Sequence, residues 1–269
     1  MRNLLLQAII IILLLNCLYS CKKNKGEPPV PPPYQSMIID FNNFSSKKKS
    51  LDIIPGGKGT ENTTWVFAST VAGVWSTLIE SNLTIPIDSY RPIAGNNPVF
   101  LSDKLWQWSY NFNSGGSSYK AKLTGQISGS GALWKMYITK DISGGFTDFL
   151  WFEGTSNSDG SSGQWIFDQS PQSAGNMFQD DWTRSGTSIT SVKYSYLKND
   201  SYKGSYISYV LMTGIYDASY NIHFSNSLYS NADVEWNTTT KNGRLKCTDY
   251  LQDQNWYCWD SNKINILCQ

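Results

Sequence analysis

The chain has 269 residues, a formal net charge of +1, and 14% aromatic against 16% charged residues. Its single histidine excludes a multi-histidine metal centre, and the lack of clustered Lys and Arg beyond residue 58 excludes a nucleic-acid surface. Charge is uneven, since residues 1–58 hold eight Lys/Arg and three Asp/Glu while the remainder is net acidic.

At the N-terminus, Arg2 precedes an apolar run from Leu4 to Leu15. A membrane-spanning helix needs about 20 apolar residues, so this run fits the h-region of a secretory signal. Leu18-Tyr19-Ser20-Cys21 follows and resembles the lipobox of bacterial lipoproteins, although Tyr19 stands where a small residue is usual. The resemblance implies cleavage before Cys21, a thioether-linked diacylglycerol on it, and a membrane as partner through that anchor. Lys22, in place of aspartate, implies the outer membrane. The alternative is a plain signal peptide in which the cysteine falls there by chance. Pro28-Pro29-Val30-Pro31-Pro32-Pro33 predicts a stiff polyproline II spacer. The expected division is a signal peptide over 1–20, a lipidated tether over 21–59, and one aromatic-rich β domain over 60–269.

From Thr64 to Glu80, Phe67, Val71, Val74, Trp75, Leu78 and Ile79 recur at helical spacing, with Asn62 or Thr63 as cap. Leu83 to Pro98 contains three prolines and reads as loop. The period then changes to two, in Trp106-Trp108-Tyr110-Phe112, in Tyr119, Ala121, Leu123 and Ile127, in Trp134-Met136-Ile138, and in Tyr216-Ala218-Tyr220-Ile222-Phe224. With no crossover helix available, the expectation is an all-β antiparallel meander of about 10–12 strands. It would form a barrel or strongly curved sheet with the one helix packed on it. Residues 149–152, 165–167 and 206–211 are apolar on both faces and require cover, by the helix or by a partner surface.

Chemistry is sparsely signalled. His223 lies on a polar strand face with no nucleophile motif beside it. Glu153, Asp168, Asp180, Asp181, Asp233 and Glu235 could furnish an acid and base for glycoside hydrolysis. No phosphate loop or cofactor motif is present, and no cofactor is expected. Eleven Trp, sixteen Tyr and eleven Phe carry more information. Most should fill the core, whereas Tyr137, Tyr209, Tyr257 and Trp259 are expected on the opposite face as rings for a glycan or lipid ligand. The leading expectation is a glycan- or lipid-binding envelope protein. An assembly protein using an apolar sheet surface and a hydrolase are the alternatives. For the cysteines, a symmetric hairpin over 247–258 predicts a Cys247–Cys258 bridge, with Cys258–Cys268 as the alternative.

Overall fold

The computed structural model describes residues 25–44 and 63–268. The signal sequence, Cys21 and Asn62 lie outside them. The sheet opens with β1 (Val99–Ser102), β2 (Leu105–Ser114), β3 (Ser117–Ser128) and β4 (Gly131–Lys140). Its middle is β5 (Phe146–Asn157), β6 (Ser162–Ser170), β7 (Ser173–Ser185) and β8 (Ser188–Tyr196). Next come β9 (Tyr206–Leu211), β10 (Ala218–His223) and β11 (Asn231–Trp236). It ends with β12 (Gly243–Lys246), β13 (Tyr257–Trp259) and β14 (Asn265–Ile266). Each strand pairs antiparallel with the next, and the fourteen form one meander in sequence order. The predicted all-β class is therefore observed, with more strands than expected. β1 and β14 do not pair with each other, so the sheet is open.

One helix bridges that opening. α1 (Thr63–Tyr90) has 28 residues, about 42 Å at 1.5 Å per residue. At its start, Asn265 of β14 accepts from the Thr64 amide at 3.2 Å and donates to Thr63 Oγ1 at 3.1 Å. At its end, Tyr110 of β2 donates to the Ser89 carbonyl at 2.6 Å and Ser114 donates to Asp88 at 2.8 Å. The sheet curves until both of its ends reach the same helix. Ala68 to Gly73 are buried without interruption, and their small side chains admit close approach on every side. A stretch buried all round belongs inside a core, whereas further along Thr77, Glu80, Ser81 and Thr84 face outward and are exposed. The helix lies against the inward face of the sheet and covers none of the outward apolar positions.

Residues 83–90, expected as loop, continue this helix, and Pro86 sits within it. A proline there removes the bond to the Asn82 carbonyl and costs about 3 kcal/mol in an exposed helix. Tertiary packing offsets that cost. Leu83, Pro86 and Tyr90 are buried, and the Tyr90 ring meets Trp165 at 5.4 Å and Phe152 at 6.1 Å.

The proline-rich segment is also not a spacer. Residues 25–44 cross the inner face of the sheet like a strap. Lys25 lies over the Phe100 ring of β1, and Pro29 touches the space above Gly125 of β3. The Pro32 carbonyl accepts from Tyr90 at 2.9 Å, Ser36 from the Trp165 indole at 3.2 Å, and the Met37 carbonyl from Tyr194 at 2.8 Å. The Asp40 carbonyl accepts from Tyr220, and Phe44 packs on Trp236 at 4.9 Å and Trp259 at 6.2 Å. The contacts thus proceed from β1 to β13 in order. Met37, Ile39 and Phe44 are core residues, so the folded unit begins far upstream of residue 60.

Where the strap crosses, tryptophans alternate with glycines along the pairing direction. Trp106 faces Gly125, which faces Trp134, which faces Gly154, which faces Trp165. Gly163 opposite Trp182 and Gly243 between Trp236 and Trp259 repeat the device. Each glycine leaves room for a neighbour's indole to lie flat on backbone, an arrangement that also lets a sheet bend. A Cβ on Gly154 would stand 2.5 Å from Trp165, and one on Gly243 would stand 2.3 Å from Trp259.

One of the doubly apolar stretches has a local cause. Pairing runs Met136↔Phe152 but Tyr137↔Leu150, so Trp151 is a bulged residue. The bulge turns both Trp151 and Phe152 inward, and Trp151 packs on Phe146 and Phe149. In β9, Tyr206 is covered by Lys193 at 4.3 Å and His223 at 5.4 Å, while Val210 and Leu211 stay exposed.

Candidate functional site

The best-formed apolar cleft lies at the rim that carries the β8–β9 and β10–β11 connections. It has a volume of about 550 Å³, within the ordinary range for small-molecule sites. Tyr196 ends β8, and its hydroxyl donates to Asp200 Oδ2 at 2.9 Å. The Tyr202 amide donates to Asp200 Oδ1 at 2.9 Å, which folds the connection back on itself. That amide, with the Tyr196 hydroxyl, holds the Asp200 carboxyl below the usual carboxylate range. Burial first, then Asp200, pushes the Tyr196 phenol up to about 12. The Ser225 amide donates to Ser205 Oγ at 2.9 Å and ties the two connections together.

From the second connection come Phe224, Leu228 and Tyr229. Tyr229 is wedged edge-on against Phe67 at 5.5 Å and Tyr250 at 5.6 Å. The helix supplies Val74, Trp75, Thr77 and Leu78. Trp75 is fully buried and stacks on Phe224 at 6.1 Å, and its indole N–H has no partner among the described residues. Tyr202 and Leu228 are 51% and 87% exposed. Five rings therefore border this cleft, together with Ser, Thr and Asn side chains. Among the described residues, no Asp, Glu, Lys, Arg or His lines it. Such a lining offers ring stacking, apolar contact and neutral hydrogen bonds, and no charge.

The four rings singled out from sequence are not brought together. Tyr137 is half-buried on β4, and Tyr209 is buried on β9 against Tyr220 at 5.9 Å and Trp236 at 6.2 Å. Burial pushes the Tyr209 phenol up to about 12. Tyr257 donates to Asp253 at 2.6 Å, and Trp259 is buried with its indole N–H on the Lys241 carbonyl at 2.9 Å. Tyr209 shares its parity with the inward Ile207, and Trp259 lies on the strap. Both are core residues rather than exposed rings. Trp259 also borders a second cleft of about 490 Å³. There Arg244 is held at 4.9 Å from the Tyr216 ring and 4.3 Å from the Trp256 ring, and pairs with Glu235 at 2.7 Å. Its cation is already matched. The cleft residues missed from sequence, Tyr202, Leu228 and Tyr229, stand out as lone apolar side chains within Ser- and Asn-rich connections.

The candidate carboxylates do not converge. Asp233 pairs with Lys246 at 3.6 Å, Glu153 with Lys135 at 3.5 Å, and Asp181 accepts from Gln164 and Gln179. Burial raises the Asp168 carboxyl, and nearby Glu153 adds to it. Among the described residues, each of four clefts has at most one carboxylate in its lining. Asp180 is buried on the inward face, between Trp165 and Tyr194 on neighbouring strands, with neither oxygen hydrogen-bonded among the described residues.

The cysteine pairing is also corrected. The bridge joins Cys258 to Cys268, and Cys247 is a buried free thiol. Thr248–Leu251 forms a short helix, α2, closed by Gln252 in the left-handed conformation. The connection is therefore not a symmetric turn, and the register becomes Leu245↔Tyr257 and Arg244↔Cys258. That shift carries Cys247 past the end of the ladder. No family model, curated protein or solved structure matches the chain.

Proposed function

We propose that this chain is an envelope lipoprotein whose cleft at Trp75, Tyr196, Tyr202, Phe224 and Tyr229 binds an uncharged ligand with apolar faces, a glycan or a lipid-like molecule. The observation that carries the reading is the lining itself: five rings, with neutral hydroxyls and amides and no ionic side chain. Sugar rings and acyl chains both present C–H faces that stack on aromatic side chains and need no counter-charge. The lipobox-like Leu18–Cys21 supports export and anchoring.

The test is a titration of an unanchored form, residues 22–269, with neutral oligosaccharides in one arm and micelles of an uncharged diacyl lipid in the other. Trp75 borders the cleft, so tryptophan emission should shift on binding. Affinity should hold as salt rises, because no ion pair is formed. Tyr202→Ala should weaken binding about tenfold or more with the circular dichroism unchanged, in keeping with about 1.4 kcal/mol per decade. Saturation in one arm alone identifies the ligand source. Binding in neither arm, or affinity unaltered in Tyr202→Ala, overturns the reading.

A further inference from the structure

The meander alternates its connections between two rims. One rim carries the β1–β2, β3–β4, β5–β6, β7–β8, β9–β10, β11–β12 and β13–β14 connections, and the cleft lies at the other. The strap enters at the first rim, where Lys25 sits 5.7 Å from the Phe100 ring of β1. Cys21 is four residues upstream, which is at most about 14 Å of fully extended chain. Because residues 28–44 run along the sheet and send Pro32, Ser36, Met37, Ile39 and Phe44 into buried positions, only a short stretch remains to hold the domain away from an anchor at Cys21.

A group of exposed apolar side chains lies toward the same end. Val99 and Leu101 of β1 are 63% and 47% exposed, and Val30, within the entering strap, is 76% exposed. Leu211, Ile215 and Ile264 extend the set along the β9–β10 and β13–β14 connections, with Ile215 at 78%. At the opposite rim, Tyr202 and Leu228 border the cleft, and Ile142 of the β4–β5 connection is a separate exposed side chain at 60%. The seven connections of the first rim contain three lysines and four aspartates, so they carry no excess of positive charge toward anionic headgroups.

We infer that this rim rests on the lipid bilayer, seating Val30, Val99, Leu101, Ile215 and Ile264 in the interface and directing the aromatic cleft away from the membrane. The inference rests on the anchor reading of Cys21. The position of the chain's entry point names the occupant as lipid; the exposed side chains supply apolar contact, and Lys22, Lys23 and Lys25 at the entry point add attraction to anionic headgroups. A short anchor and a weakly apolar rim act together. The anchor confines the rim near the surface, so that even modest burial per side chain fixes the orientation.

The test uses the full-length protein, processed in a bacterial envelope and reconstituted in vesicles of phosphatidylethanolamine and phosphatidylglycerol. Ile215→Cys and Leu228→Cys are each labelled with an environment-sensitive dye, the native Cys247 being buried. The dye at 215 should shift to the blue and be quenched by nitroxide-bearing lipid, while the dye at 228 should stay in water. Equal, water-like emission at both positions on vesicle-bound protein overturns the orientation. Shielding at 215 that needs only high protein concentration and no vesicles assigns the rim to a second copy, and also overturns it. Mass spectrometry of the mature N-terminus reports separately on Cys21. An unmodified cysteine sinks the anchor, and the rim assignment then survives only if unacylated protein still brings the 215 dye into contact with lipid.

Discussion

The Tyr194 hydroxyl donates to the Met37 carbonyl at 2.8 Å, joining the middle of the sheet to a segment 157 positions upstream. Both groups are buried, and the bond is one of several that hold the strap by backbone or hydroxyl acceptors. Tyr194→Phe keeps the ring and strands the carbonyl, at a cost of about 1–3 kcal/mol. Urea unfolding should show a lower midpoint with an unchanged slope. A chain beginning at residue 63 loses the whole strap and exposes the Trp165, Tyr194 and Trp236 faces. It should lose cooperative unfolding, and gel filtration should find it aggregated.

Gly163 tests the glycine and tryptophan alternation. A Cβ there would lie 2.4 Å from the Thr155 carbonyl oxygen and 2.6 Å from the Trp182 ring. Backbone oxygen cannot step aside as a flexible side chain can. Gly163→Ala should therefore destabilise by about 3 kcal/mol. Gly115→Ala, in a turn with open space around it but a φ of +54°, should cost only about 1 kcal/mol. Thermal melts of the two variants should separate clearly, and equal midpoints would remove the steric account.

Asp180 gives stability a pH slope. Burial holds its carboxyl well above the usual carboxylate range, and Asp181 adds to the shift. The unfolded chain releases this proton near pH 4, about the ordinary aspartate value, while the folded chain keeps it. The folded state then binds more protons, so the contribution is fully present below pH 4 and is lost as pH rises toward the folded pKa. Asp180→Asn removes this loss. Its stability advantage over the native chain should widen between pH 4 and pH 8 in urea titrations. An advantage independent of pH would show that the buried carboxyl does not titrate. Comparing the two proteins cancels the opposite slopes of Asp148, Asp159 and Asp249, whose carboxyls are held below their usual range.

The Cys258–Cys268 bridge closes a short loop at the end of the sheet, and its removal by Cys258→Ser should cost about 2–3 kcal/mol. Burial pushes the Cys247 thiol up to about 11, so it should resist thiol reagents in the native state. In a chain expressed from residue 22, labelling should be nil when folded and reach one thiol after denaturation. A second thiol under non-reducing conditions would contradict the bridge.

Alternation made the sheet legible. Trp106, Trp108, Tyr119, Leu123, Trp134 and Ile138 all fall on the inward face that their spacing predicts. What misled was local irregularity and distant packing. The bulge at Trp151 and the helical turn after Cys247 each change register without an unmistakable residue signal. Pro86 and the proline-rich strap are ordinary breakers in sequence, and only contacts from strands far away make them helix and core. The cleft was least legible, because its rings come from three connected but sequence-distant pieces, and its most exposed members sit in stretches that otherwise read as polar loop.

The strap also dictates an order of assembly. Phe44 finds its last partner in Trp259, and Thr63 in Asn265, so segments that leave the ribosome first wait for segments that leave it last. Contacts of such sequence separation make folding slow, since the closure of the long loop must precede the stabilising contacts. In an exported chain acylated at Cys21, the molecule would have to wrap its fourteen strands around a leading end already held at the membrane.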